Sequence, residues 1–118
     1  MQRVWRTVTG FYHVCARGVG KQLIFEGDED RWEFLELMRE CCCEEGVTVI
    51  AWCLMGNHVH LVLTDYEDRM SAAMHRLLLT YARRFNKRTG RTGHLFQNRL
   101  AGDGGYSLRT RRSAGGGR

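Results

Sequence analysis

Apolar and polar positions follow two distinct rhythms along this chain, one of period two and one of period 3.6. Residues 8–16 (VTGFYHVCA) are rich in aromatic and β-branched types and predict a first strand. A basic, glycine-punctuated turn follows, Arg17-Gly18-Val19-Gly20-Lys21. Its spacing is that of neither a dinucleotide-binding glycine motif nor a P-loop, so it reads as a loop able to touch phosphate. Asp28 then opens a helix, with Glu29 and Asp30 where the N-terminal partial charge favours acids. Phe34, Leu37, Met38 and Cys41 recur at i, i+3, i+4 and i+7 and form its apolar stripe. Glu33, Glu36, Glu40 and Glu44 face elsewhere, and Gly46 ends the element.

Residues 47–55 form a β-prone run, Gly56-Asn57 a tight turn, and residues 58–64 a second run. Two such runs around a Gly-Asn pair predict an antiparallel hairpin. The second strand sets His58, His60 and Val62 on one face and Val59, Leu61 and Leu63 on the other. The latter set fits a core, which makes this strand a central one. From Ser71, a favourable N-cap, runs a long helix whose buried stripe is Met70, Ala73, Met74, Leu77, Leu78, Tyr81, Ala82 and Phe85. Gly90 closes it. Residues 93–99 read as either a further strand or an ordered loop. The order strand, helix, strand, strand, helix predicts an α+β fold: an antiparallel sheet with two flanking helices, close to a ferredoxin-like arrangement.

Residues 101–118 change character. They are rich in Gly, Arg and Ser and carry no apolar period, so the expectation is a folded unit over 1–100 and a disordered tail over 101–118. At 118 residues one domain is expected. No apolar run approaches the roughly 18–20 residues that a membrane span needs, and the N-terminus lacks the apolar stretch of a signal peptide. A cytoplasmic protein is therefore expected. The five cysteines include no C-x-x-C pair, and an odd number argues against a disulfide framework. They read as reduced, small hydrophobic side chains.

Charge sharpens this picture. Residues 1–68 hold 6 Lys/Arg against 12 Asp/Glu, whereas residues 69–118 hold 12 Lys/Arg against the single acid Asp103. Such a division suggests that one half meets a polyanion. Arg76, Arg83, Arg84, Lys87, Arg88 and Arg91 form a basic stripe able to track phosphates, with Arg17 and Lys21 as additions. The plain alternative is a solvated helix face. The acidic first helix is expected to cover a sheet face and avoid nucleic acid.

His58-Val59-His60 is the main candidate for chemistry. Residues i and i+2 of a strand point the same way, about 6.5–7 Å apart at Cα, so two imidazoles can converge on one divalent ion. Imidazole suits Zn, Mn, Ni or Cu better than Mg on ligand softness. A bare H-x-H is short, and taken alone it is explained more readily by a surface histidine pair on an edge strand or a His–carboxylate hydrogen bond.

Residues 52–63 (WCLMGNHVHLVL) resemble the signature strand pair of the REP-associated tyrosine transposases. These belong with the single-tyrosine insertion-sequence transposases, among the HUH endonucleases, where U is a hydrophobic residue. Residues 12–18 (YHVCARG) resemble the family's opening strand and turn, and 25–30 (FEGDED) its approach to the first helix. Residues 78–86 (LLTYARRFN) and 93–99 (GHLFQNR) resemble its second helix and the block after it. The resemblance covers about residues 8–99 in the family's order. It implies an antiparallel sheet flanked by helices, a divalent metal (Mg or Mn) on His58 and His60 with a third ligand from a C-terminal helix, and single-stranded or hairpin DNA as partner. It further implies a tyrosine on that helix that attacks the scissile phosphate, giving a 5′-phosphotyrosine and a free 3′-hydroxyl.

The family's tyrosine is expected on a helix beyond residue 99, just before an asparagine–proline pair. This sequence has no proline. The nucleophile helix is therefore expected to be missing, as truncation or a shifted reading frame would produce. Tyr81 and Tyr106 are the weak stand-ins, with Tyr12 and Tyr66 behind them; Tyr81 sits on an apolar stripe and reads as core. The expectation is a transposase-family single-strand DNA-binding protein, with a homodimer left open. A non-catalytic nucleic-acid module and a non-functional remnant are the rivals.

Overall fold

The computed structural model describes residues 11–97 and the backbone of residues 106–110. Its elements run β1 (Phe11–Arg17), α1 (Asp28–Glu45), β2 (Thr48–Leu54), β3 (His58–Thr64), α2 (Met70–Thr89) and β4 (Tyr106–Thr110). The strands form one antiparallel sheet in the order β2-β3-β1-β4. This β-α-β-β-α-β succession with that neighbour order is the ferredoxin-like α+β fold, and β3 is a central strand as its alternation predicts.

Alternation decides which face is which. Tyr12, Val14 and Ala16 of β1 and Val59, Leu61 and Leu63 of β3 are buried in one cluster with Phe34, Leu37 and Met38 of α1 and with Ala73, Met74, Leu77 and Leu78 of α2. Both helices therefore lie on the same side of the sheet. Tyr81 is the hub of the aromatic part of this core. Its ring lies 5.3–5.9 Å, centroid to centroid, from those of Phe25, Phe34 and Phe85. Such tilted, edge-on and stacked pairs add to area burial.

Helix ends follow the glycines: Gly46 (φ 73°) and Gly90 (φ 77°) close α1 and α2 in the left-handed conformation. The start of α2 departs from expectation. Ser71 lies inside the helix, and its first amides are satisfied by buried Asp65 instead. The Asp65 carboxylate accepts from the backbone N–H of Met70 (2.8 Å), Arg69 (3.1 Å) and Glu67 (3.3 Å). One carboxylate thus holds both the turn after β3 and the helix start, which a lone serine hydroxyl cannot do.

The expectation of irregular structure over 101–118 is corrected at five positions. Tyr106–Thr110 pairs with β1 as an edge strand, from Ala16↔Tyr106 to Tyr12↔Thr110. The rest of that segment, 101–105 and 111–118, lies outside the described residues. Residues 93–97 take the loop alternative, docked on β1 by a single bridge between Gly18 and Phe96.

Candidate functional site

The second face of the sheet carries the histidines. Side chains directly opposed across an antiparallel ladder share a face. The β1–β3 register sets Arg17 opposite His58, Cys15 opposite His60 and His13 opposite Val62. On its other side His60 faces Cys53 of β2. His13, His58 and His60 are all half-buried on the side of the sheet away from both helices.

Two hydrogen bonds orient the rings. His58 Nδ1 is 2.8 Å from Asn57 Oδ1. The Asn57 amide is itself turned by its Nδ2, which donates to the Lys21 carbonyl at 3.3 Å. An amide oxygen only accepts, so His58 carries its proton on Nδ1 and keeps a lone pair on Nε2. His60 Nδ1 lies 3.0 Å from His13 Nε2, the two rings stacked at 5.1 Å. The His58 and His60 rings meet edge-on at 4.9 Å. No group of three or more His, Cys, Asp or Glu side chains among the described residues is arranged to hold a metal.

Three loops converge at the His58 end of the sheet. The Gly18 amide donates to the Asn57 carbonyl (2.9 Å), Ile24 N–H to Gly56 (2.9 Å), Val19 N–H to Leu95 (2.9 Å) and Gln97 N–H to Arg17 (2.9 Å). Gly18 is obligatory, because a Cβ there would stand 2.2 Å from the Gln22 carbonyl oxygen. The basic turn is thus built to close tightly against the hairpin turn, and it leaves Arg17 and Lys21 exposed beside the histidines.

The basic stripe of α2 fares differently. α1 packs alongside α2, so its acids meet the bases: Arg76 pairs with Glu44 (2.5 Å), Arg84 with Glu33 (3.2 Å), and Arg88 with Glu33 (3.0 Å) and buried Asp30. Arg91 clamps the end of α2 to the β1 turn, donating to Asn86 Oδ1, Gln22 Oε1 and the His94 carbonyl. Four residues of the expected phosphate-tracking stripe thus have partners within the fold. Arg83 and Lys87 are exposed and make none of these pairs, but they belong to the helical layer, on the other side of the sheet from His58 and His60.

Tyr81 is fully buried, and its hydroxyl donates to the Ile24 carbonyl at 2.6 Å. Burial above all pushes its phenol well above the ordinary range. Tyr12 is buried on the core face, and Tyr66 is exposed beyond the far end of β3 from His58, roughly 20 Å along the strand at about 3.3 Å per residue. Tyr106 opens β4 opposite Ala16. An apolar groove lined by Trp32, Leu35, Met38, Val47 and Trp52 lies between α1 and the β2 edge.

A ferredoxin-like sheet with an H-x-H pair on the face opposite α1 and α2 defines a class of small, sheet-based proteins with candidate ligands on that face. The profile of the family described as "Transposase IS200 like" matches residues 7–108, and the chain belongs to that family. Among solved structures, it is similar to a REP-associated tyrosine transposase bound to a REP hairpin, with a TM-score of 0.68 and 12% identity over 97% of this chain. The chain spans 63% of that protein's length. It is also similar to a protein of Deinococcus radiodurans R1 assigned as a transposase, with a TM-score of 0.59 and 21% identity over 96% of this chain and 88% of the other. No curated protein matches the sequence. Among the described residues, no helix is long and apolar enough to cross a membrane.

Proposed function

We propose that this protein binds single-stranded, hairpin-bearing DNA on the face of its sheet opposite α1 and α2, with a divalent cation on His58 and His60 beside the phosphate backbone. The observation that carries this reading is the register that sets Arg17 directly opposite His58. A guanidinium and a lone-pair imidazole side by side suit one phosphodiester: the arginine offers a forked pair of donors to its oxygens. Lys21 adds a second positive charge from the same turn. Arg83 and Lys87 lie on the helical layer, away from this face, and Arg76, Arg84, Arg88 and Arg91 act chiefly to hold the helices and loops.

The donors fit a cation. His58 offers Nε2 because Asn57 occupies Nδ1, and imidazole nitrogen favours Mn over Mg. When bound, such an ion polarises a phosphoryl oxygen as a Lewis acid. His58 and His60 hold it, Arg17 orients the phosphate, and the Gly18 and Asn57 turns keep these groups in place.

The family similarity and the hairpin bound by the REP-associated transposase support this reading of the partner. A second reading, a nucleic-acid module without strand cleavage, is favoured by the tyrosines: Tyr12 and Tyr81 lie in the core and Tyr66 sits at the wrong end of β3. A phenol outside attack distance forfeits most of the rate that positioning supplies. Incubation of a labelled hairpin-bearing strand with the protein and Mn²⁺, resolved on native and denaturing gels, tests both. Retention on the native gel is expected, with no covalent adduct on these three tyrosines. An adduct mapped to one of them would overturn the second reading, and absence of binding at low salt would overturn the first.

A further inference from the structure

His58 and His60 are supported by different partners, and the second partner has no role in the reading above. The Asn57 amide fixes His58 with its proton on Nδ1. His60 Nδ1 meets another imidazole, His13 Nε2, at 3.0 Å. Exactly one proton can sit in that contact when both rings are neutral. If His13 supplies it, the proton on His60 is displaced to Nε2, and the nitrogen that should face a cation has no lone pair. If His60 supplies it, His60 matches His58: both rings carry Nδ1–H and both keep a lone pair on Nε2.

We infer that His13 is a positioning residue for His60, accepting the His60 Nδ1 proton at its own Nε2 and so presenting the His60 Nε2 lone pair to the cation. This rests on the reading of His58 and His60 as cation ligands. His13 and Asn57 are then equivalent outer partners, one for each ligand and each on a different element: β1 for His60, the hairpin turn for His58. The geometry follows from register. His13 stands opposite Val62, diagonal to His60 on the same face, within reach of a ring-to-ring contact. An imidazole is also a stronger acceptor than an amide oxygen, so it makes a liganded His60 more basic. Outer partners of this kind are typically worth about 10- to 100-fold in metal affinity.

Long-range ¹H–¹⁵N spectra of the full chain without metal read the tautomers directly. His60 is expected as the Nδ1–H form in the wild type. In His13→Phe, which keeps a flat ring and removes the acceptor, it is expected to shift towards Nε2–H. His13→Gln restores an acceptor and is expected to restore the Nδ1–H form. Mn²⁺ titration by calorimetry supplies a second readout: a loss of about 10- to 100-fold in His13→Phe, largely recovered in His13→Gln. A wild-type His60 already in the Nε2–H form, or tautomers and affinity untouched by His13→Phe, would overturn the proposal while leaving His58 and His60 as ligands. Loss in His13→Phe as complete as in His58→Ala, without rescue by glutamine, would overturn it in favour of a third ligand. Equal Mn²⁺ affinity in wild type and His58→Ala would instead remove the metal site itself, and the tautomer spectra would still decide the role of His13. Circular dichroism of each variant checks that the sheet persists.

Discussion

Arg17 and His58 stand directly opposite each other on the antiparallel β1–β3 ladder, the last residue of one strand facing the first of the next. The pairing joins two features that look unrelated in the sequence, a basic turn and an H-x-H strand. It also sets Arg17 on the face of the histidines, whereas Arg76, Arg84 and Arg88 pair with acids of α1 on the helical layer. Arg84 is bound to Glu33 on the helical layer. Arg17→Ala should therefore weaken binding of hairpin-bearing DNA about tenfold and lower the slope of log affinity against log salt by about one. Arg84→Ala should leave that slope unchanged. The reverse order in filter-binding titrations across a salt series would return the interface to the α2 face.

Tyr81 gives a second test, because its hydroxyl has a structural task. Tyr81→Phe keeps the ring among Phe25, Phe34 and Phe85 but leaves the Ile24 carbonyl without its donor. Urea denaturation should show a loss of about 1 kcal/mol, with DNA affinity unchanged. Unchanged stability together with lost activity on DNA would make Tyr81 a reacting group.

The thiols predict a pH dependence. Burial, with a smaller contribution from Cys41, pushes the Cys42 thiol up to about 12 from an ordinary 9.0. The folded value is the raised one, so the folded state holds its proton where the unfolded state has released it. Stability from this group is full below pH 9 and falls as pH rises towards 12, by about 1.4 kcal/mol per unit. Urea midpoints between pH 8.5 and 10.5 should fall more steeply in the wild type than in Cys42→Ala. Iodoacetamide at pH 8.5 should label exposed Cys43 and Cys53 and spare Cys41 and Cys42. Equal slopes, or early labelling of Cys42, would contradict its burial.

Much of the fold was legible because its signals are local. The Val59, Leu61, Leu63 alternation needs only the sequence of one strand, and it sets the histidines on the face opposite the core. What escaped depends on partners distant in sequence. The sequence of α2 alone shows Arg76, Arg84 and Arg88 as a basic stripe; Glu44, Glu33 and Asp30 meet them only once α1 lies alongside. Asp65 was overlooked because Ser71 stands nearer the apolar stripe, whereas Asp65 caps by folding back across a turn. β4 carries only Tyr106 and Leu108 as apolar residues. An edge strand with one neighbour is held by backbone pairing, which composition does not reveal. His13 stands in the first strand of the sequence, but its contact with His60 is diagonal across the register, and no motif records that.

Cation-dependent DNA binding tests the central claim most directly. Affinity for a hairpin-bearing single strand should be measured by fluorescence anisotropy with Mn²⁺ and with a chelator, in wild type and in the His58→Ala, His60→Ala double variant. Mn²⁺ should tighten binding in the wild type and have no effect in the variant. The same gain from Mn²⁺ in both proteins would show that the two histidines hold no ion at the DNA.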